Sequence, residues 1–293
     1  MHAYLFPGQG SQFPGMGQTL YEKNTQAREL FDAADRILGF SITAYMFAGT
    51  PAMLQETAIA QPAIFLHSVI LAATTPSFKP DIVAGHSLGE LSALVANKVL
   101  SFEDGLRLVG IRAAAMQDAC ALQPGTMAAV LGLADELVTE ICQSIDAIVG
   151  PANYNCPGQL VIAGSLQGVE RACQSLQAAG AKRIIPLQVG GGFHSSLMEP
   201  AKKRFSQAVL QTSFKRGICP IYQNINAAPT TAPELIQEQL IKQLTSPILW
   251  TQTIARMSQD GATCFTAYGP GQVLQGLVKK IVPHVPIKTV SEN

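Results

Sequence analysis

Residues 82–96, IVAGHSLGELSALVA, run an apolar, β-branched segment into Gly85, His86, Ser87, Leu88 and Gly89 before a helical pattern begins. Gly-x-Ser-x-Gly between a strand and a helix is the spacing of a nucleophile elbow. The two glycines let the turn tighten and let strand and helix pack closely. Ser87 then projects its hydroxyl into a cleft at the positive end of a helix. The backbone N–H of Leu88 faces an oxyanion forming on an attacked carbonyl. The competing reading of Ser87 is an ordinary helix cap.

A serine hydroxyl needs a base to become nucleophilic near neutral pH. His86 is its neighbour in sequence, but adjacent side chains on such a turn diverge. His194, in VGGGFHSSLMEP, follows an apolar strand and a glycine run, a loop suited to presenting an imidazole across a cleft. The alternative is a loop histidine satisfied by backbone. In the N-terminal FPGQGSQ, Gly8 and Gly10 let main-chain amides approach a ligand, which makes the Gln9 N–H a candidate second oxyanion donor. That stretch has no lysine in the Walker position and no GxGxxG, so a nucleotide phosphate cradle is not supported. Arg112 lies in the apolar run GIRAAAMQ. It either snorkels to the surface or pairs its planar fork with an anion such as a carboxylate.

These side chains need a scaffold, and the periodicity supplies one. AYLFPGQGSQ reads as a short strand breaking into a turn. Helical patterns follow around residues 17–38 and 58–73, and a strand over 81–85 leads into the elbow and its helix. SFEDGLRLVGIRAAAMQDA reads as a further helix, capped by Ser101 with acidic residues in its first turn. Over 123–188 the order strand, helix, two strands joined by a Pro/Gly turn, helix, strand is that of a ferredoxin-like unit. The expected fold is an α/β-hydrolase-like catalytic domain, residues 1–122 and 189–293, with a ferredoxin-like insertion at 123–188.

Composition narrows the function classes. With 47% apolar and 14% charged residues, a substantial core is available and disorder is not expected. Lysine plus arginine and aspartate plus glutamate number 20 each, so the chain lacks the basic balance of an electrostatic nucleic-acid binder. Small basic clusters such as Lys202, Lys203 and Arg204 are solvated helix faces or docking points for an acidic partner. Cys120, Cys142, Cys156, Cys173, Cys219 and Cys264 show no CxxC and no metal-ligand spacing, and read as reduced thiols of a cytoplasmic protein. His2, His67, His86, His194 and His284 are too scattered to outline a metal site. The N-terminus lacks the pattern of a signal peptide, and no unbroken apolar run of about 18 residues suggests a membrane span.

Taken together, the motifs resemble the malonyl-CoA:acyl carrier protein transacylases and the acyltransferase domains of polyketide synthases. The resemblance runs nearly end to end, through FPGQGSQFPGMG, QPAIF, GHSLGELSAL, IRAAAMQ, NYNCPGQLVIAG, FHSSLMEP, SPILWTQT and GPGQVLQGL. It implies that Ser87 is the acylated nucleophile and His194 its general base. The oxyanion donors are then the backbone N–H groups of Gln9 and Leu88. Arg112 sits where relatives bind the free carboxylate of malonate. Gln243 falls where a main-chain carbonyl orients the histidine, so no buried aspartate is required. Gln61, Asn155 and Phe193 lie on segments expected to line the pocket.

The implied reaction is ping-pong transfer of malonyl from malonyl-CoA to the phosphopantetheine thiol of an acyl carrier protein. No resident cofactor or metal is expected, because the phosphopantetheine belongs to the partner. The chain is expected to be a monomer acting in trans, without nucleic-acid or membrane partners. Phe193 before His194, in place of a serine, resembles malonyl-selective polyketide enzymes and favours polyketide over fatty-acid synthesis. The rival within the same fold is an acyl hydrolase that clears stalled chains from carrier proteins. Such relatives often lose the carboxylate-binding arginine, which is present here. A non-enzymatic docking protein is the remaining alternative, and the retained catalytic side chains argue against it.

Overall fold

The computed structural model describes residues 1–290 and 292. Its strands are β1 (His2–Phe6), β2 (Ile82–Gly85), β3 (Gly125–Leu131), β4 (Val149–Cys156), β5 (Gln159–Ser165), β6 (Arg183–Pro186), β7 (Ile221–Tyr222), β8 (Pro229–Thr230), β9 (Cys264–Ala267) and β10 (Ile287–Thr289). They form two sheets. The larger has the order β10-β9-β1-β2-β7-β8 and is parallel except for its last pair. Its central strands are continuous apolar runs, LF in β1 and IVAG in β2, because helices cover both faces. The smaller sheet has the order β4-β5-β3-β6 and is antiparallel throughout. With the helices Asp135–Ser144 and Leu166–Ala178 it reproduces the strand–helix–strand–strand–helix–strand order expected over 123–188.

β4 ties the small sheet to the segment that opens the helix Trp250–Gln259. Ile248 N–H donates to Ala152 O at 2.8 Å, and Tyr154 N–H donates to Ile248 O at 2.9 Å. Thr251 Oγ1 donates to Tyr154 O at 3.0 Å.

One local expectation changes. The helical stretch around 17–38 is two helices, Gln18–Lys23 and Thr25–Leu38. Asn24 divides them: its N–H closes the first on Leu20 O, and its side chain caps the second by accepting from Ala27 N–H. The helix Thr57–Thr74, with mean hydropathy 1.5, is long and apolar enough to cross a membrane by length and composition. It is instead the core helix, buried at every residue from Ile59 to Ala72, and its Gln61 and His67 are packed among protein groups. Ser101 caps the helix Phe102–Leu122 as expected, accepting from Asp104 N–H at 3.0 Å.

Candidate active site

Because β1, β2 and β7 are parallel neighbours, their C-terminal ends place three loops side by side, where open α/β sheets bind ligands. The loop after β1 carries Gln9, the loop after β2 carries Ser87, and the loop after β7 carries Gln223 and Asn224. Glycines make the approach possible. A Cβ on Gly85 would lie 1.9 Å from Gly89 C, and one on Gly89 would lie 2.1 Å from Phe6 O. Backbone that close leaves no room for any side chain.

Ser87 occupies the left-handed region, with φ 52°. It does not cap the helix Gly89–Ala96, whose N-cap is Leu88. Its Oγ lies 2.8 Å from His194 Nε2 and accepts from Arg112 Nη2 at 3.1 Å. The cap reading of Ser87 is therefore excluded.

His194 reaches the serine from a loop held in a left-handed turn, φ 60°, and is 5% exposed. Its Nδ1 donates to the main-chain carbonyl of Gln243 at 2.9 Å. That bond fixes the tautomer, leaving Nε2 as the acceptor for the Ser87 proton. Burial, with Arg112 nearby, lowers its pKa to about 3, against a smaller upward pull from the Gln243 carbonyl. The imidazole is neutral and ready to accept a proton at neutral pH.

Arg112 is buried, not snorkelling. Its Nη1 donates to Gln61 Oε1 at 2.7 Å, and its Nη2 donates to Gln243 Oε1 at 3.0 Å as well as to Ser87 Oγ. Its Nε–H has no partner among the described residues. Burial lowers its pKa to about 10, partly opposed by the carboxylate of Glu90, so it stays a cation. An under-satisfied guanidinium in a dry wall is costly and suits an incoming carboxylate.

The N–H groups of Gln9 and Leu88 also lack hydrogen-bond partners among the described residues, whereas Ser87 N–H is taken by Asn224 Oδ1. Two free amides beside a serine hydroxyl, one of them at a helix N-terminus, have the chemistry that an oxyanion hole requires. All these groups open on a cavity of about 440 Å³ whose wall includes Gln9, Ser87, Leu88, Arg112 and His194.

Gln61 and Phe193 line this cavity as expected. Asn155 does not. Its Oδ1 accepts from His86 Nε2 at 2.9 Å, and of the two asparagines it is Asn153 that lines the cavity, beside His86. The register shifts in β4 between Pro151 and Asn153 and between Tyr154 and Cys156 break the alternation that would put odd positions on one face. His86 is thereby diverted from Ser87. It packs edge-on against Trp250 at 5.2 Å between ring centroids, and burial lowers its pKa.

Sequence reasoning missed Glu90, Gln223 and Asn224, which form a buried polar cluster under the elbow. The available signal was a polar pair following a short apolar strand, IYQN, in a chain already read as α/β. Among the described residues no group of three His, Cys, Asp or Glu side chains could hold a metal ion.

A family model described as "Acyl transferase domain" matches residues 3–287. The malonyl CoA-acyl carrier protein transacylase of Staphylococcus aureus (strain MRSA252) is 42% identical over 291 residues, covering 98% of this chain and 94% of that protein. The acyl carrier protein S-malonyltransferase of Vibrio cholerae superposes with a TM-score of 0.94 at 37% identity, over 99% of this chain and 96% of that one. A malonyl-transacylase solved in complex with its type II PKS acyl-carrier protein superposes with a TM-score of 0.95 at 35% identity, over 100% and 96% of the two chains. Elbow serine, opposed histidine and buried guanidinium thus stand in a fold shared with these proteins across nearly their whole length, and the chain belongs to the acyl transferase domain family.

Proposed function

We propose that this enzyme moves a malonyl group from malonyl-CoA to the phosphopantetheine thiol of an acyl carrier protein through a malonyl-Ser87 ester. One observation carries the choice of acyl group: the buried Arg112 guanidinium, 3.1 Å from Ser87 Oγ. A cation at that distance can hold the distal carboxylate while the thioester carbonyl sits on the nucleophile.

In the first half-reaction Ser87 Oγ gives its proton to His194 Nε2 and bonds to the thioester carbon. The N–H groups of Gln9 and Leu88 hold the resulting oxyanion. The C–S bond then breaks, and the CoA sulfur takes the proton back from His194. In the second half-reaction the carrier's thiol gives its proton to His194 and its sulfur bonds to the ester carbon. The C–O bond breaks and Ser87 recovers the proton. Only acid–base and nucleophilic steps occur, so no resident cofactor is needed. Every group that acts comes from one chain, which supports action as a monomer. The six unpaired cysteines support a reducing, cytoplasmic setting. Phe193 against the cavity supports a malonyl-selective role in polyketide synthesis. A hydrolase of uncharged acyl groups would have no use for the buried cation, and that reading is not favoured.

Intact-mass measurement tests the proposal. Incubation with malonyl-CoA should give a malonyl adduct that a holo acyl carrier protein removes and that Ser87→Ala never forms. An adduct persisting on Ser87→Ala places the nucleophile elsewhere. Discharge by water as fast as by the carrier makes the enzyme a hydrolase.

A further inference from the structure

Of the three strand ends that meet at the site, those of β1 and β2 supply oxyanion donors and nucleophile. The end of β7 has no part in the steps above, yet the main-chain N–H, the carbonyl and both side-chain polar atoms of its Asn224 are all hydrogen-bonded. Asn224 is 0% exposed. Its Nδ2 donates to Gly85 O at 2.7 Å, and its Oδ1 accepts from Ser87 N–H at 2.8 Å. One side-chain amide therefore spans the main chain on both sides of His86, across the tightest part of the elbow. Gln243 braces the same place: its Nε2 donates to Ser87 O at 3.1 Å and to Asn224 Oδ1 at 3.2 Å.

Asn224 is itself fixed from beneath. Its N–H donates to Glu90 Oε2 at 2.9 Å, and its carbonyl accepts from Leu249 N–H at 2.9 Å. The other carboxylate oxygen of Glu90 accepts from Gln223 Nε2 at 3.2 Å. Glu90 belongs to the first turn of the helix that leaves the elbow, so the cluster links that helix to the end of β7.

Two physical consequences follow. A non-glycine residue at positive φ persists only when its surroundings over-determine it, and here Ser87 N–H, Ser87 O and Gly85 O are all held. Also, engaging Ser87 N–H on Asn224 turns that donor away from the cavity, which leaves the oxyanion to Leu88 and Gln9.

We propose that Asn224 is the positioning residue of the nucleophile, holding the elbow in its left-handed turn so that Ser87 Oγ stays in line with His194 Nε2, with Glu90 as the buried anchor that fixes Asn224. This inference rests on the reading of Ser87 as the acylated residue.

The test is the single-turnover rate of Ser87 acylation by malonyl-CoA, followed by intact mass, on the full chain carrying Asn224→Ala or Asn224→Asp. Rates are referred to the fraction folded by circular dichroism. Misplacement of a reacting group by about 1 Å costs on the order of 10²-fold, so Asn224→Ala should slow acylation by about that factor. KM for malonyl-CoA should change far less, because Arg112 and Gln61 remain. Asn224→Asp has nearly the same size and keeps the acceptor for Ser87 N–H while losing the donor to Gly85 O. Its rate should fall between those of Asn224→Ala and the parent enzyme.

An Asn224→Ala rate close to that of the parent overturns the inference, and so does a loss confined to KM. If Asn224→Ala does not fold, Asn224→Asp decides alone: a parental rate overturns the inference and a slowed one sustains it. Ser87→Ala in the same assay separates the two levels of the argument. An adduct there removes the nucleophile reading itself, whereas normal acylation of the Asn224 variants removes only the positioning role.

Discussion

Arg112→Ala divides the work of the guanidinium into a part specific to malonyl and a part common to all acyl groups. In the free enzyme Arg112 touches Gln61, Gln243 and Ser87 Oγ. Only the pairing with a substrate carboxylate distinguishes malonyl from acetyl. Charge-assisted hydrogen bonds contribute about 1.5–3 kcal/mol each, so a two-bond pairing is worth about 3–6 kcal/mol. At about 1.36 kcal/mol per decade, kcat/KM for malonyl-CoA should fall about 10²–10⁴-fold. Acetyl-CoA loses only the contact to Oγ, and it no longer has to leave a buried cation unpaired. Its kcat/KM should fall by no more than about tenfold, the value of one ordinary hydrogen bond, or rise. The substitution also strips Gln61 and Gln243 of a donor, and a modest drop in melting temperature should accompany it. The assay is kcat/KM for both thioesters on both enzymes, under conditions where each stays folded. An equal fall for the two substrates would falsify the assignment and leave Arg112 a structural residue.

Protonation of His194 removes the base, and its pKa is lowered to about 3, so kcat/KM should hold as pH drops through 6.5 and fail only well below it. A carboxylate docked on Arg112 offsets one of the charges that depress His194, so the acid limb of kcat should lie above that of kcat/KM; the reverse order in a pH–rate series contradicts this coupling. Phe193→Ala opens space beside the acyl α-carbon, and the ratio of methylmalonyl to malonyl turnover should rise by about 10–200-fold, the worth of one methylene in a pocket; an unchanged ratio removes Phe193 from selectivity. Gly89→Ala drives a Cβ to 2.1 Å from Phe6 O and should lower stability by at least about 1–3 kcal/mol, the usual cost of overpacking, read from a urea midpoint. A midpoint equal to that of the parent would mean that the elbow yields without strain.

How much of this was legible in the sequence depends on how local each feature is. The elbow is written within five residues, because the backbone needs glycine at two fixed places. The four-stranded sheet was legible as short apolar runs, bounded by a Pro/Gly turn, interleaved with amphipathic helices. The role of Arg112 was not: an arginine among alanines reads the same whether it faces solvent or a cavity, and only the family resemblance chose between them. Asn155 was misplaced because bulges in β4 shift which side chains share a face. Asn224 was invisible for a different reason. Its partners Gly85 and Ser87 lie 139 and 137 positions away, brought near by the pairing of β2 with β7, and a single asparagine after a strand carries no signature of its own.

The place of β1 within the sheet has a consequence for how the molecule is made. It is the first strand of the chain, yet it lies between β2 and β9, and β9 begins at Cys264. During synthesis the strand that carries the Gln9 loop can pair along one edge once β2 emerges. Its other edge stays open until synthesis has passed Cys264–Ala267, far beyond β2. Such long-range pairing is slow, and an unpaired apolar strand edge invites association with other chains. A polypeptide stopped short of β9 would therefore present β1, the middle of its own sheet, as a sticky outer margin.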